Sequence, residues 1–268
     1  MREATQYVDA PVSTDSAKEV EGFPGVHERR YFLRGSMAAA AALLALEVMP
    51  NEIFAQTPVK GPSTTAALSW DDFLKQSVPM AQQLIADPAF SIDEYLYRVG
   101  SLATRLSEIP DSKLGPYTQV DPRVWFGPSF RGSPLLIIQW RMEPGAFLPP
   151  HNHRNASVCT LAFQGDVRLR NFEIIGDEPA YESKQTFRVR ETRNERMSRG
   201  RISTLSPSRD NIHCFEAGKT AARGIDINTL HGKNDFSFLN LSEKPLDSEN
   251  RVFEATWNPT LGQPAPKR

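Results

Sequence analysis

Pro144-Gly145-Ala146-Phe147-Leu148-Pro149-Pro150-His151-Asn152-His153-Arg154-Asn155-Ala156-Ser157-Val158-Cys159-Thr160-Leu161-Ala162-Phe163-Gln164-Gly165 is the stretch whose reading decides the fold. His151 and His153 stand two residues apart. On a strand, residues i and i+2 share a face, so one strand can offer two imidazole nitrogens to one ion. A third histidine, His213, closes the later segment Pro207-Ser208-Arg209-Asp210-Asn211-Ile212-His213. These three are most of the chain's five histidines. Three nitrogens leave positions open for substrate, which separates a catalytic metal site from a structural one. Scattered histidines more often satisfy a core hydrogen bond or lie on the surface; the i, i+2 spacing sets this group apart.

Around this stretch the pattern is that of short strands. Gly165 suits a tight turn. Leu135–Trp140 and Ser157–Phe163 are apolar runs that read as buried strands, and Asp166–Ile175 alternates. Phe187–Arg190, Arg201–Leu205, Asn211–Phe215 and Gly224–Leu230 are shorter candidates. Many short strands with turn residues between them, in a chain with 21 prolines, predict an all-β sandwich or barrel. Two helices precede it. Ser69 caps one running from about Trp70 to Ala86, with Asp71 and Asp72 in its first turn and Pro79 expected to kink or break it. Ser91-Ile92-Asp93-Glu94 is a capping box. It opens a helix with apolar Ile92, Tyr95, Leu96, Val99, Leu102 and Leu106 that is expected to end near Pro110. This is a packing helix rather than a carrier of chemistry.

Composition narrows the function. The 268 residues are 40% hydrophobic and 24% charged, enough for a buried core, and the net charge of −1 gives no nucleic-acid footprint. The six arginines from Arg188 to Arg201, with two glutamates among them and no aromatic interleaving, read as a solvated hairpin rather than an anion-binding patch. Cys159 and Cys214 cannot form a disulfide framework; they read as packed thiols, open to pairing only if their strands adjoin. There is no phosphate-binding glycine loop, nucleophile elbow or Cys-x-x-Cys. Arg29-Arg30-Tyr31-Phe32-Leu33 followed by the short apolar run Met37–Leu46 resembles the twin-arginine export signal of bacteria. The run is too short to span a bilayer. The expected organisation is a signal and leader over residues 1–56, a linker and helices over 57–115, and a barrel over 116–268.

Gly145, His151, His153 and Gly165 resemble the first motif of the cupins, and Pro207 to His213 resembles the second. The glutamate that most metal-binding cupins place in the first motif is missing; Val158 stands near its place. The thiol dioxygenases, of cysteine and cysteamine dioxygenase type, are a cupin branch with three histidines only. The chain resembles them in the interval from His153 to Gly165 and in the strand Leu135–Trp140. Asn211-Ile212-His213, followed by Gly224-Ile225-Asp226-Ile227, is similar to their second motif. That resemblance implies a small β-barrel holding Fe(II) at His151, His153 and His213, oxidising a small thiol with O2 to a sulfinic acid. It also implies that Arg123 binds a substrate carboxylate, for which a guanidinium fork is suited; Arg131 and Arg141 compete for the role. The animal-type cysteine–tyrosine crosslink has no counterpart here, since Cys159 is one residue past its place and no tyrosine follows Tyr181. His231 lies near the missing tyrosine and reads as a loop histidine. Phe147, Trp140, Phe163 and Phe172 read as core rather than pocket wall. Asp210, Asn211 and Glu216 are near enough in sequence to support a histidine ligand. Two rival readings stay open: a cupin using zinc or manganese for non-oxidative chemistry, and a metal- or ligand-binding cupin without catalysis. The expected partners are a thiol, O2 and the twin-arginine machinery, with the mature chain in the periplasm or exported.

Overall fold

A computed structural model describes residues 66–181, 183–233 and 236–261. The export-signal reading falls on residues outside these. Among the described residues, two helices, α1 (Trp70–Ala86) and α2 (Ile92–Ala103), precede twelve strands. The strands are β1 (Gly115–Tyr117), β2 (Asp121–Gly132), β3 (Leu135–Met142), β4 (Phe147–Asn152), β5 (Ala156–Gln164) and β6 (Asp166–Ile175). They continue as β7 (Phe187–Ser198), β8 (Ile202–Leu205), β9 (Ile212–Ala217), β10 (Ala222–Leu230), β11 (Phe238–Leu241) and β12 (Val252–Asn258). One six-stranded sheet runs β1-β2-β3-β10-β5-β8, and the other strands close as β11-β12-β7-β6-β9-β4. Every pairing between named strands is antiparallel.

The apolar run in β3 exists because both of its faces are covered. Leu135 and Ile137 join Cys159, Leu161, Ile225 and Ile227 beneath the helices, where Phe73, Leu84, Tyr95 and Val99 complete one core. Trp140 and Met142 turn the other way and meet Leu148, Val167, Leu169 and Phe215 from the closed sheet. Trp140 stacks on Phe215 with ring centroids 5.5 Å apart. A third core gathers Phe172, Val189, Ile212, Cys214, Phe253 and Trp257. Odd positions of β3, β5 and β10 thus face the helices and even positions face the barrel interior, and this parity decides the site.

The helices begin where the capping residues place them. Ser69 accepts from the backbone N–H of Asp72 and Ser91 from that of Glu94. α1 continues through Pro79, so of the expected kink or break the break does not occur. The carbonyl that Pro79 leaves without a donor belongs to exposed Lys75, so water can serve it. α2 stops at Ala103 rather than near Pro110, and Leu106 instead makes a bridge to Leu68. Tyr95 fastens α2 to the barrel through a short hydrogen bond to Thr229.

Five strands were not anticipated as such. β2 carries Pro122, Gly127, Pro128 and Gly132, which read as turn residues, yet it lies beside the edge with a register shift between Pro128 and Phe130 that absorbs them. β1, β11 and β12 are short or polar. β4 was placed only through its histidine pair. β7 runs on to Ser198 because its outward charges pair across the hairpin, as in Arg190–Glu173 and Arg196–Asp166, while Glu191 is buried between Arg170 and Arg251. The arginine run lies in a hairpin strand whose charges pair across it, as the mixed sign implied.

Gly224 marks the tightest approach of strand to core. A Cβ there would lie 2.2 Å from Trp140 Cζ2 and 2.3 Å from the Leu161 carbonyl oxygen. Because one obstacle is backbone, the site cannot relax by a rotamer change. Gly224→Ala is expected to cost about 3 kcal/mol or more, at the upper end of overpacking, read as a lowered midpoint in urea denaturation.

Candidate metal centre

His151 lies at the end of β4, His153 just beyond it, and His213 near the start of β9. β4 and β9 are neighbours, with His151 opposite His213 in register. The Nε2 of His213 lies 3.0 Å from that of His151 and 3.1 Å from that of His153. Among the described residues this is the one group of three such side chains close enough to hold an ion together. Asn152, between the two histidines, points elsewhere: its Oδ1 accepts from the backbone N–H of Ser237 at 2.7 Å, tying down the segment that leads into β11.

Burial keeps all three imidazoles neutral. It pulls His151 down to about 4, against a hydrogen bond to the Pro149 carbonyl that favours the charged form, and holds His153 and His213 well below the usual histidine range. The His151 Nδ1–H donates to the Pro149 oxygen at 2.9 Å, so its Nε2 carries a lone pair turned toward His213. Neutral ring nitrogens converging at about 3 Å are what ligands at right angles around one ion give at bond lengths of roughly 2.1 Å. The donor set therefore fits a divalent cation. His151, His153 and His213 could hold it, and no carboxylate completes the group.

The structure redistributes the supporting roles. The acceptor behind His151 is the Pro149 carbonyl, which no side-chain motif announces. Asn211 Oδ1 accepts from the backbone N–H of His153. Asp210 pairs with Arg209, and Glu216 pairs at the surface with Arg168. Val158 faces inward with Ala156 and Leu205, so an apolar residue occupies the place of the missing glutamate. Cys159 faces α2 and Cys214 belongs to the third core; both are free and buried, with thiols pushed up to about 12 by burial. They lie in different sheets and do not pair. His231 bonds Ser157 at 2.8 Å and does not line the cavity.

That cavity, of about 250 Å³, is bounded by His151, His153, Tyr117, Phe126, Leu136, Ile138, Leu148, Asp226, Asn228, Phe236 and Phe238. Asp226 is its charged residue. Burial raises its carboxyl to about 6, opposed by the Thr160 hydroxyl that donates to Oδ1 at 2.6 Å. Asn228 donates to the backbone oxygens of Leu136 and Asp226. Arg123, the expected carboxylate binder, is not brought to the histidines. Its side chain is 48% exposed and forks onto Asp121, whose carboxyl it holds down at about 2. The cause is parity: Val124 and Phe126 face the interior, so Arg123 faces away. None of Phe147, Trp140, Phe163 and Phe172 lines the cavity. The wall residues Tyr117, Phe126 and Phe238 gave no signal because β2 is hidden by turn-like sequence and β1 and β11 are short.

Residues 122–229, which include all three histidines, match the PCO_ADO family. The described strands form the all-β barrel architecture, preceded by two helices, that the sequence led us to expect. The family match spans less than half of the chain, and no curated protein matches it. Among solved structures the chain is similar to KdgF from a Halomonas species, at 16% identity and a TM-score of 0.32, covering 44% of this chain and 88% of that one. It is similar to the cupin domain of Schizosaccharomyces pombe Cnp3 at 15% identity and 0.33, covering 46% and 67%. A Klebsiella pneumoniae protein with a double-stranded β-helix domain is 12% identical with a TM-score of 0.32, covering 57% and 91%. The family match supports a dioxygenase-type cupin with a metal site, acting on a small molecule and O2. No helix among the described residues is long and apolar enough to cross a membrane.

Proposed function

We propose that this chain is an exported, mononuclear Fe(II) cupin that oxidises a small thiol to a sulfinic acid, RSH + O2 → RSO2H. The observation that carries the reading is the meeting of three neutral Nε2 atoms, two of them from residues that line an apolar cavity whose charged side chain, among the described residues, is a carboxylate. Three histidines without a carboxylate leave the ion its full charge, which a substrate thiolate offsets. The bound ion would favour the thiolate and supply the redox chemistry toward O2.

The cavity also selects. Among the described residues no lysine or arginine lines it, so a substrate carboxylate meets no cation there and is repelled by Asp226. A thiol carrying an ammonium group fits better, with Asp226 accepting its N–H protons and Thr160 holding the carboxylate in place. Tyr117, Phe126 and Phe238 exclude water from the sulfur. The substrate class proposed is therefore an amino-thiol.

Metal analysis of the purified chain, with oxygen uptake on a thiol panel, tests this. Iron is expected, with kcat/KM for 2-aminoethanethiol at least about ten-fold above that for 3-mercaptopropionate, the effect of one favourable charge contact of roughly 1.4 kcal/mol. Zinc or manganese occupancy without thiol-dependent uptake would return the chain to the non-oxidative or purely binding readings. Export is tested by changing Arg29 and Arg30 to lysine. The variant should remain in the bacterial cytoplasm while the parent is exported.

A further inference from the structure

A second cavity, of about 320 Å³, lies on the outer face of the open sheet and is lined by Asp111, Ser112, Leu114, Trp125, Gln139, Arg141 and Arg223. Its floor is one row of the sheet. Trp125 on β2 is opposite Arg141 on β3, and Arg141 is opposite Arg223 on β10. These positions lie on the face turned away from the histidines, so this cleft is separate from the metal centre. Its wall is the segment after α2. Ile109 O accepts from Arg223 Nη2, Pro110 O from Gln139 Nε2, and the Gln139 Oε1 from the Ser112 hydroxyl. Lys113 O sits so close to Gly127 that a Cβ there would be 2.4 Å away.

The polarity of this cleft is one-sided. Two guanidinium groups directly opposite each other on neighbouring strands repel. Arg141 makes no ion pair or hydrogen bond among the described residues. The one carboxylate in reach, Asp111, pairs with Arg223 at 3.2 Å but is 99% exposed, so water screens it. Two further donors, Trp125 Nε1 and Arg223 Nε, are buried without a partner. A buried N–H left unpaired is costly, and here two occur in one cavity beside an unpaired cation. Every unsatisfied group is a donor. Leu114 and the Trp125 indole add an apolar wall.

We propose that this cleft binds a small organic oxyanion, a carboxylate or phosphate ester, between Arg141 and Arg223, with Trp125 Nε1 as a third donor. Planar guanidinium forks match either group, and the volume falls at the lower end of small-ligand sites.

Titration calorimetry on the full chain in low salt, with succinate, inorganic phosphate and glycerol 3-phosphate as probes, tests the proposal. Saturable binding of at least one is expected, and which one binds assigns carboxylate or phosphate. Arg141→Gln, at an exposed position that no other described contact depends on, should weaken binding at least about ten-fold, the loss of one charge-assisted pair. Trp125→Phe, which keeps the ring and removes the N–H, should weaken it by about three-fold or more. His213→Ala and Arg196→Gln should leave it unchanged. No saturable binding of any probe, or binding indifferent to both Arg141→Gln and Trp125→Phe, overturns the assignment.

Discussion

His213→Ala is expected to empty the metal centre and abolish oxygen uptake together. His213 is fully buried, and its Nε2 is the nitrogen shared by both short contacts of the group. Without it, His151 and His153 offer two nitrogens on one side and nothing opposite. Even a group standing behind a metal ligand is worth about 10–100-fold in affinity, so loss of the ligand itself should exceed that. Elemental analysis of the purified variant should find iron at background, with thiol-dependent uptake below detection. Near-UV circular dichroism checks that the barrel still folds. A folded variant that retains iron and turnover would show that the three imidazoles are a packing cluster.

Asp226→Asn is expected to separate stability from activity. For an amino-thiol, kcat/KM should fall about 100-fold, or roughly 2.7 kcal/mol in transition-state binding. A thiol without an amine should be affected little. The asparagine Oδ1 can still accept from Thr160, so the cavity keeps its shape. Stability should move the other way. Burial raises the carboxyl from 3.8 to about 6 in the folded chain. Between those values the folded state holds a proton that the unfolded state has lost. The stabilising effect is complete below about pH 4 and is lost as pH rises through 6; above that the buried charge opposes folding by roughly 3 kcal/mol. Metal-free Asp226→Asn should therefore be more stable than the parent near pH 8 by up to that amount, with the difference vanishing toward pH 4. Urea denaturation at the two pH values measures it. Equal stability at both, with unchanged amino-thiol kinetics, would remove Asp226 from the substrate site.

Within the sequence, signals survive where a short-range rule acts alone. Ser69 and Ser91 mark helix starts because a cap is a contact between residues three apart. The apolar runs in β3 and β5 are visible because both faces are covered. Signals fail where a partner far along the chain decides. β2 is a strand because β3 holds it, despite two prolines and two glycines that suggest turns. β7 is a strand because β6 pairs its charges.

The candidate site divides in the same way. From spacing alone, His151 and His153 share a face; the resemblance to the two cupin motifs added His213 and the glutamate missing at Val158. What only the tertiary structure decided is which residues stand around that group. Asp226 and Asn228 reach the cavity because β10 alternates between helices and interior, with Ile225 and Ile227 taking the other face. Arg123 fails to reach it for the same reason, one residue out of phase with Val124 and Phe126. A side-chain period of two makes facing a matter of register, and register is set by the partner strand. The sequence alone therefore pointed to a three-histidine centre, and folding decided that a carboxylate rather than an arginine waits beside it.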